Sequence, residues 1–412
     1  MMKQLLIIGY VWPEPNSSAA GQRMMQLMAF FQRKHYQISF ASPAHLSDHM
    51  EDLESLGIKV EPIALNCESF DQFIKELQPD VVLFDRFMME EQFGWRVSES
   101  CPQALRILDS EDLFCLRHAR HDAFKQCREL VDNDLLSSDI AKREVAAIFR
   151  CDLSLMISRV EIELLERLFK VPSSLLHYSP FMFTDQELEK DKVAYDDRHH
   201  FISIGNFRHA PNWDAVLWLK QQIWPLIKAQ LPQAELWIYG AYPPPKATAL
   251  HDKKSGFLVK GWVDDAELAM QSARVCLAPL RFGAGIKGKL AEAMRCGTPS
   301  VTTDIGAESM QSDKPWGGAI ANDAVLFSEQ AIMLYKDEIL WQQASENGID
   351  NAKTMYQLEH HFAKFEEVLT VLFKNITAHR HQNFIGSMLN HHSHKSTKYM
   401  AQWIEAKNKI NE

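Results

Sequence analysis

The chain has no CxxC pair, and its seven cysteines, an odd number, are scattered from Cys67 to Cys296. That pattern suits neither a disulfide framework nor a zinc knuckle. It suits buried free thiols in a reducing compartment. A run of 18 apolar residues is missing, so no transmembrane helix is expected. The N-terminus has only a short apolar run before Gly9, followed by Pro13 and Pro15, and makes a poor signal peptide. Together these features lead us to expect a cytoplasmic protein. Positive charge is in deficit: 44 Lys and Arg against 54 Asp and Glu leave a net charge of -10. This argues against a broad nucleic-acid surface but is compatible with a local basic pocket for a small anion. No G-x-G-x-x-G follows the first apolar run, so a dinucleotide-dependent oxidoreductase is not expected. Short repeats and low-complexity tracts are also missing.

The 412 residues are 46% hydrophobic, enough for two real cores. Short apolar runs alternate with helical patterns. Leu5–Ile8, Ile38–Ala41, Val60–Leu65, Val81–Phe84, Leu105–Leu108 and Leu153–Ile157 read as buried strands of a parallel sheet. Helices are expected over 19–31, 70–77, 111–130 and 134–150. The pattern then restarts. Phe201–Ile204 ends in Gly205, Leu236–Tyr239 in Gly240, and Gly256–Lys260 in Gly261; Val275–Ala278 and Ser300–Thr302 follow. The division is a first α/β unit over 1–176, a second over 177–352, a helix over 353–375 crossing back to the first unit, and a tail over 376–412.

One segment carries most of the chemistry. Pro279-Leu280-Arg281-Phe282-Gly283-Ala284-Gly285-Ile286-Lys287-Gly288-Lys289 joins a strand to the helix bearing Glu292 and ends near Gly297. A glycine-rich loop brings backbone N–H groups close to an anion, and a helix N-terminus adds partial positive charge. Lys287 and Lys289 add formal charge. Glu292, one turn into the helix, can accept hydrogen bonds from vicinal hydroxyls. Phosphates on the loop and a ribose diol on the carboxylate describe a nucleoside diphosphate.

This segment resembles the donor-site signature of the family 4 (group 1) glycosyltransferases. The resemblance covers about twenty residues and implies the GT-B fold, in which two Rossmann-like, doubly wound α/β domains face a central cleft. It further implies retaining sugar transfer from a UDP- or GDP-type donor without a cofactor or metal. Glu292 would hold the donor ribose, with Gly283, Ala284, Gly285, Ile286, Lys287 and Lys289 around the diphosphate. Relatives often carry another glutamate eight residues before Glu292; here that position is Ala284. Gly205-Asn206-Phe207-Arg208 through Asn212 resembles the start of the family's second domain, and Arg208 is the nearest candidate to face the diphosphate. Gly240, Trp262 and Val263 fall where relatives place donor contacts, although Trp262 fits a core position equally well. Gly21 and Arg23 sit in the equivalent of the family's first loop and helix, as donor and acceptor contacts.

Asp109-Ser110-Glu111-Asp112 closes a strand at the sheet edge where ligands bind. Asp109 and Glu111 are the candidate catalytic groups beside Arg208 and Lys287, and Asp112 is a candidate acceptor contact. The same acids also fit a helix-capping cluster. Ser158-Arg159-Val160-Glu161 matches an element bordering the family's cleft and receives no role. Asp132-Asn133-Asp134 has the form of a metal-binding DxD but reads better as a helix boundary. His391-His392-Ser393-His394 has no carboxylate or thiol partner nearby. The function expected is transfer to a glycan, lipid-linked sugar or protein acceptor. The alternatives are a sugar-nucleotide epimerase and a non-catalytic nucleotide-sugar-binding protein. A peripheral membrane contact through the Lys-rich tail, on the cytoplasmic face, is left open.

Overall fold

A computed structural model describes residues 2–47 and 49–411, without the side chains of 392–395 and 408–411. The apolar runs form two sheets in which every strand pairing is parallel. The first contains β1 (Gln4–Ile8), β2 (Gln37–Ser42), β3 (Lys59–Pro62), β4 (Val81–Asp85), β5 (Leu105–Asp109), β6 (Leu153–Met156) and β7 (Leu176–Tyr178). Their order is β3-β2-β1-β4-β5-β6-β7. The second contains β8 (Phe201–Ile204), β9 (Leu236–Tyr239), β10 (Phe257–Gly261), β11 (Val275–Ala278), β12 (Ser300–Thr302) and β13 (Gly318–Ile320), in the order β10-β9-β8-β11-β12-β13. Helices cover both faces of a parallel sheet, which is why its strands are apolar throughout rather than alternating. Leu5–Ile8 and Val81–Phe84 are completely buried.

Strand order reverses between β1 and β4 and again between β8 and β11. Connections leave such a point toward opposite faces, opening a crevice at the carboxyl ends of the strands. Tyr10 and Arg86 flank the first crevice; Gly205 and Leu280 flank the second. All four line one shared cavity.

The expected strands are present, with Val60–Leu65 shortened to Lys59–Pro62. The periodicity did not reveal β7, β13 or the helix Phe87–Ser100. Both missed strands have three residues, too few for a period, and β13 opens on a glycine at φ +141°. The first sheet thus extends past 176 to Tyr178. The helix expected over 111–130 is confined to Phe114–Lys125.

The single helix expected over 353–375 is broken. Helix Glu338–Tyr356 ends at Gln357, whose ψ of 121° is extended, and Leu358–Gln382 begins afresh. The break lets the chain pair with its other crossover. Phe183 N donates to Tyr356 O (2.7 Å) and Leu358 N donates to Phe183 O (2.8 Å). The two interdomain crossings therefore lie side by side. Beyond the break, Phe362, Phe365, Leu369 and Leu372 pack into the first domain's core beside Phe30. The tail belongs to that domain too. Helix Phe384–Asn411 runs along it, and Arg96, 2% exposed, pairs with both Asp71 and Glu405. No helix among the described residues is long and apolar enough to cross a membrane.

Candidate active site

A cavity of about 770 Å3 lies between the carboxyl ends of the two sheets. From the second domain, Gly205, Arg208, Gly240, Trp262, Val263, Gly283, Ala284, Ile286, Lys287, Lys289 and Glu292 line it. Glu111 and Asp112 line it from the first.

The glycine-rich loop owes its shape to Gly283 and Gly285, at φ +147° and +64°, where a side chain would be strained. It delivers the chain to helix Gly288–Arg295. The first domain's helix Ala19–Arg33 starts directly opposite, capped by Ser18 Oγ, which accepts from Gly21 N at 3.1 Å. A Cβ on Gly288 would lie 2.3 Å from Ala19 Cβ. Two helix N-termini therefore meet at the cavity, and their partial positive ends add.

Lys289 Nζ donates to Asn212 Oδ1 (2.8 Å) and Lys287 Nζ to Gly285 O (2.5 Å). Gly205 makes room for this: a Cβ there would lie 2.7 Å from both Lys289 Nζ and Asn212 Nδ2. Burial pulls both ammonium groups down to about 8. An anion seated against them would favour their charged forms and raise both again. Arg208 lies over the Tyr242 ring at 3.6 Å. Glu292 accepts from Arg295 Nε (3.2 Å), which fixes the carboxylate at the cavity wall. Trp262 stacks on His49 of the first domain at 4.0 Å, and its indole N–H donates to Asp264 Oδ1 (3.0 Å).

The first-domain wall is built at the ends of β4 and β5. Arg86 and Glu111 both hold positive φ, +70° and +59°. For residues with a Cβ this costs about 1–3 kcal/mol each. There three acids, Asp85, Asp109 and Glu111, meet two cations, Arg23 and Arg86. Arg23 pairs with Asp109, both fully buried. Burial and the adjacent Asp109 carboxylate push Glu111 well up, against the pull of Arg23 at 3.5 Å. Asp112 differs: burial opposes its charge, but Arg117 (2.7 Å) overcomes this and holds it below the usual range.

The structure moves four expected site residues off the wall. Asp109 and Arg23 form the buried pair under the floor, because a guanidinium that deep needs its carboxylate. Arg23 is thus a counter-ion rather than an acceptor contact. Gly21 faces the chain at Glu14, where a Cβ would lie 2.4 Å from Glu14 O. Gly285 is pressed against Ile157 and Asp112, and its N–H donates to Glu161 Oε1 (2.7 Å). The reading of the sequence missed Tyr10 and Arg86 on the wall. It also missed the clasps across the cleft. Tyr242 OH donates to Glu14 (2.9 Å), and Arg120 donates to Gly283 O (2.9 Å) and bidentately to Glu308. Arg86 carried a usable signal, since it follows Asp85 at a strand end as Ser110 follows Asp109.

Asp132 pairs with Arg167 and Asp134 with Arg128, as a helix boundary would. Among the described residues no three His, Cys, Asp or Glu are grouped to hold a metal. The side chains of His392 and His394 lie outside the described residues.

Residues 198–337 match the family model of the group 1 glycosyl transferases. That match covers the domain bearing the glycine-rich loop and supports a group 1 glycosyltransferase. Among curated proteins, an uncharacterized 44.6 kDa protein in the cps region of Klebsiella pneumoniae is 25% identical over 211 residues. The similarity spans 50% of this chain and about half of that relative, 52%. Among solved structures, sucrose-phosphate synthase from Thermosynechococcus elongatus is 15% identical with a TM-score of 0.66, covering 90% of this chain and 99% of its own. Anabaena HepE, solved with UDP and glucose, is 13% identical with a TM-score of 0.68, covering 90% and 100%. An S. aureus TarM variant, solved with fondaparinux, alpha-GlcNAc-glycerol and UDP, is 10% identical with a TM-score of 0.67, covering 89% and 99%. These likenesses establish the fold as GT-B.

Proposed function

We propose that the chain transfers a sugar from a nucleoside-diphosphate sugar, of UDP or GDP type, to an acceptor hydroxyl, with retention at the anomeric carbon. The observation that carries this reading is the convergence of Lys287, Lys289, two helix N-termini and Glu292 on one cavity between the domains. The diphosphate would sit at the helix N-termini with its charge on Lys287, Lys289 and Arg208. The ribose would lie on Glu292 and the base near Val263 and Trp262.

In this reading the bond from the anomeric carbon to the β-phosphate oxygen breaks. The acceptor oxygen bonds to the same face, and its proton passes to the departing phosphate. Lysine charges and aligned N–H groups stabilise the leaving group where its charge develops, without requiring a metal. Glu111 hydrogen-bonds a sugar hydroxyl; Asp112 and Arg86 orient the acceptor. HepE and TarM, each solved with UDP, make UDP-sugars the first donors to try.

Turnover of UDP-sugars and GDP-sugars with and without acceptor extracts tests the reading. Acceptor-dependent release of UDP or GDP supports it. Interconversion of the sugar nucleotide without acceptor indicates an epimerase, and no turnover with intact binding indicates a non-catalytic protein.

A further inference from the structure

We propose that Glu161 is a positioning residue that fastens the glycine-rich loop to the first domain and, through Gly285, sets Lys287. Glu161 belongs to the first turn of helix Arg159–Phe169 and is fully buried. A carboxylate there usually serves its own helix N-terminus. This one reaches outward instead. Its Oε1 accepts from Leu113 N (3.1 Å) in the first domain and Gly285 N (2.7 Å) in the second. Oε2 is buried without a hydrogen-bond partner.

The contact falls where the two domains are packed tightly. A Cβ on Gly285 would lie 2.8 Å from Ile157 Cδ1 and 3.0 Å from Asp112 Cβ. The Gly285 carbonyl in turn accepts from Lys287 Nζ (2.5 Å). Gly285 therefore takes its place from Glu161 through its N–H and aligns a cavity ammonium through its carbonyl. If Gly285 N–H is released, the loop lifts off the Glu111–Asp112 wall and Lys287 leaves with it. Glu161 acts as an acceptor, and burial raises it to about 8. A neutral amide oxygen can therefore replace it.

The inference rests on the donor-site reading for its ligand, but the fastening can be measured without one. Amide exchange of residues 283–288 and of Leu113 is followed in the ligand-free full chain for wild type, Glu161→Ala and Glu161→Gln. UDP binding is measured by calorimetry on the same three proteins. We expect protected Gly285 and Leu113 amides in wild type. In Glu161→Ala, exchange and the UDP Kd should each rise about tenfold, the scale of a lost buried hydrogen bond. Glu161→Gln should restore both to within about threefold, a rescue that lost helix stability alone would not give. Unprotected Gly285 and Leu113 amides in wild type would overturn the proposal even if Glu161→Ala failed to fold. So would a glutamine variant no better than alanine. If exchange loosens but UDP binds none of the three proteins, the donor reading fails and the fastening stands.

Discussion

Gly288→Ala tests how closely the two helix N-termini must meet. The added Cβ falls 2.3 Å from Ala19 Cβ, whereas carbon atoms in contact sit ~3.5–4.0 Å apart. The domains must therefore part by ~1.2–1.7 Å at the point where a diphosphate would be gripped. Overpacking of this kind costs about 1–3 kcal/mol, a 5- to 150-fold loss in the closed population. The substitution should not harm the second domain, since alanine suits a helix better than glycine by up to about 1 kcal/mol. The expected result is an unchanged or slightly higher thermal midpoint with kcat/KM for the donor down 5- to 150-fold, on the same scale. Ala19→Gly removes the opposing methyl and should recover most of the loss in the double variant. A Gly288→Ala protein with kcat/KM within about twofold of wild type would refute the reasoning, as would a double variant with no recovery, because contacting residues must couple.

Other predictions follow from charge and packing. Lys287 and Lys289 sit at about 8 in the unliganded protein, against 10.5 for an ordinary lysine. Between those values the unfolded chain binds more protons, so these two groups make the free protein more stable as pH rises from 8 to 10.5. A diphosphate prefers the charged forms, so UDP affinity should fall as pH rises through 8. Calorimetry in buffers of different ionisation enthalpy should show net proton uptake at pH 8; none would remove the lysines from the site. Arg23→Ala leaves the Asp109 carboxylate buried without its counter-ion and should cost about 3–5 kcal/mol in denaturant unfolding. Phe365→Ala empties a position 3% exposed and 4.6 Å from the Phe30 ring. It should cost about 3–5 kcal/mol, showing that the returning helix belongs to the first domain's core.

The glycine-rich loop and its two lysines were legible because they lie in one contiguous segment. Gly283, Gly285, Lys287, Lys289 and Glu292 fall within ten residues, so spacing alone orders them along a loop and one helical turn. The first-domain wall was only half legible. The strand-end rule found Glu111 and Asp112 but could not tell a wall residue from a floor residue. Asp109 and Glu111 are two positions apart and both meet Arg23, yet only Glu111 also lines the cavity. Glu111 holds a positive φ, which periodicity does not encode. The clasps Glu14–Tyr242 and Arg120–Glu308 join residues 228 and 188 positions apart, and only the closed arrangement of two domains brings them together. The break at Gln357 was hidden because helical patterning runs across it, and pairing with Phe183 overrides local preference.

The most direct test of the central claim is thermal stabilisation of wild type and Glu292→Ala by UDP, GDP, CMP and ADP. A ligand that binds only the native state at one hundred times its Kd adds about 2.7 kcal/mol. The donor-site account predicts that UDP or GDP raises the wild-type midpoint and leaves Glu292→Ala, whose carboxylate can no longer hold the ribose, nearly unmoved. Equal shifts in both proteins would remove Glu292 from the site. The absence of any shift, repeated with acceptor extracts present, would contradict the assignment of this cavity to a nucleotide sugar.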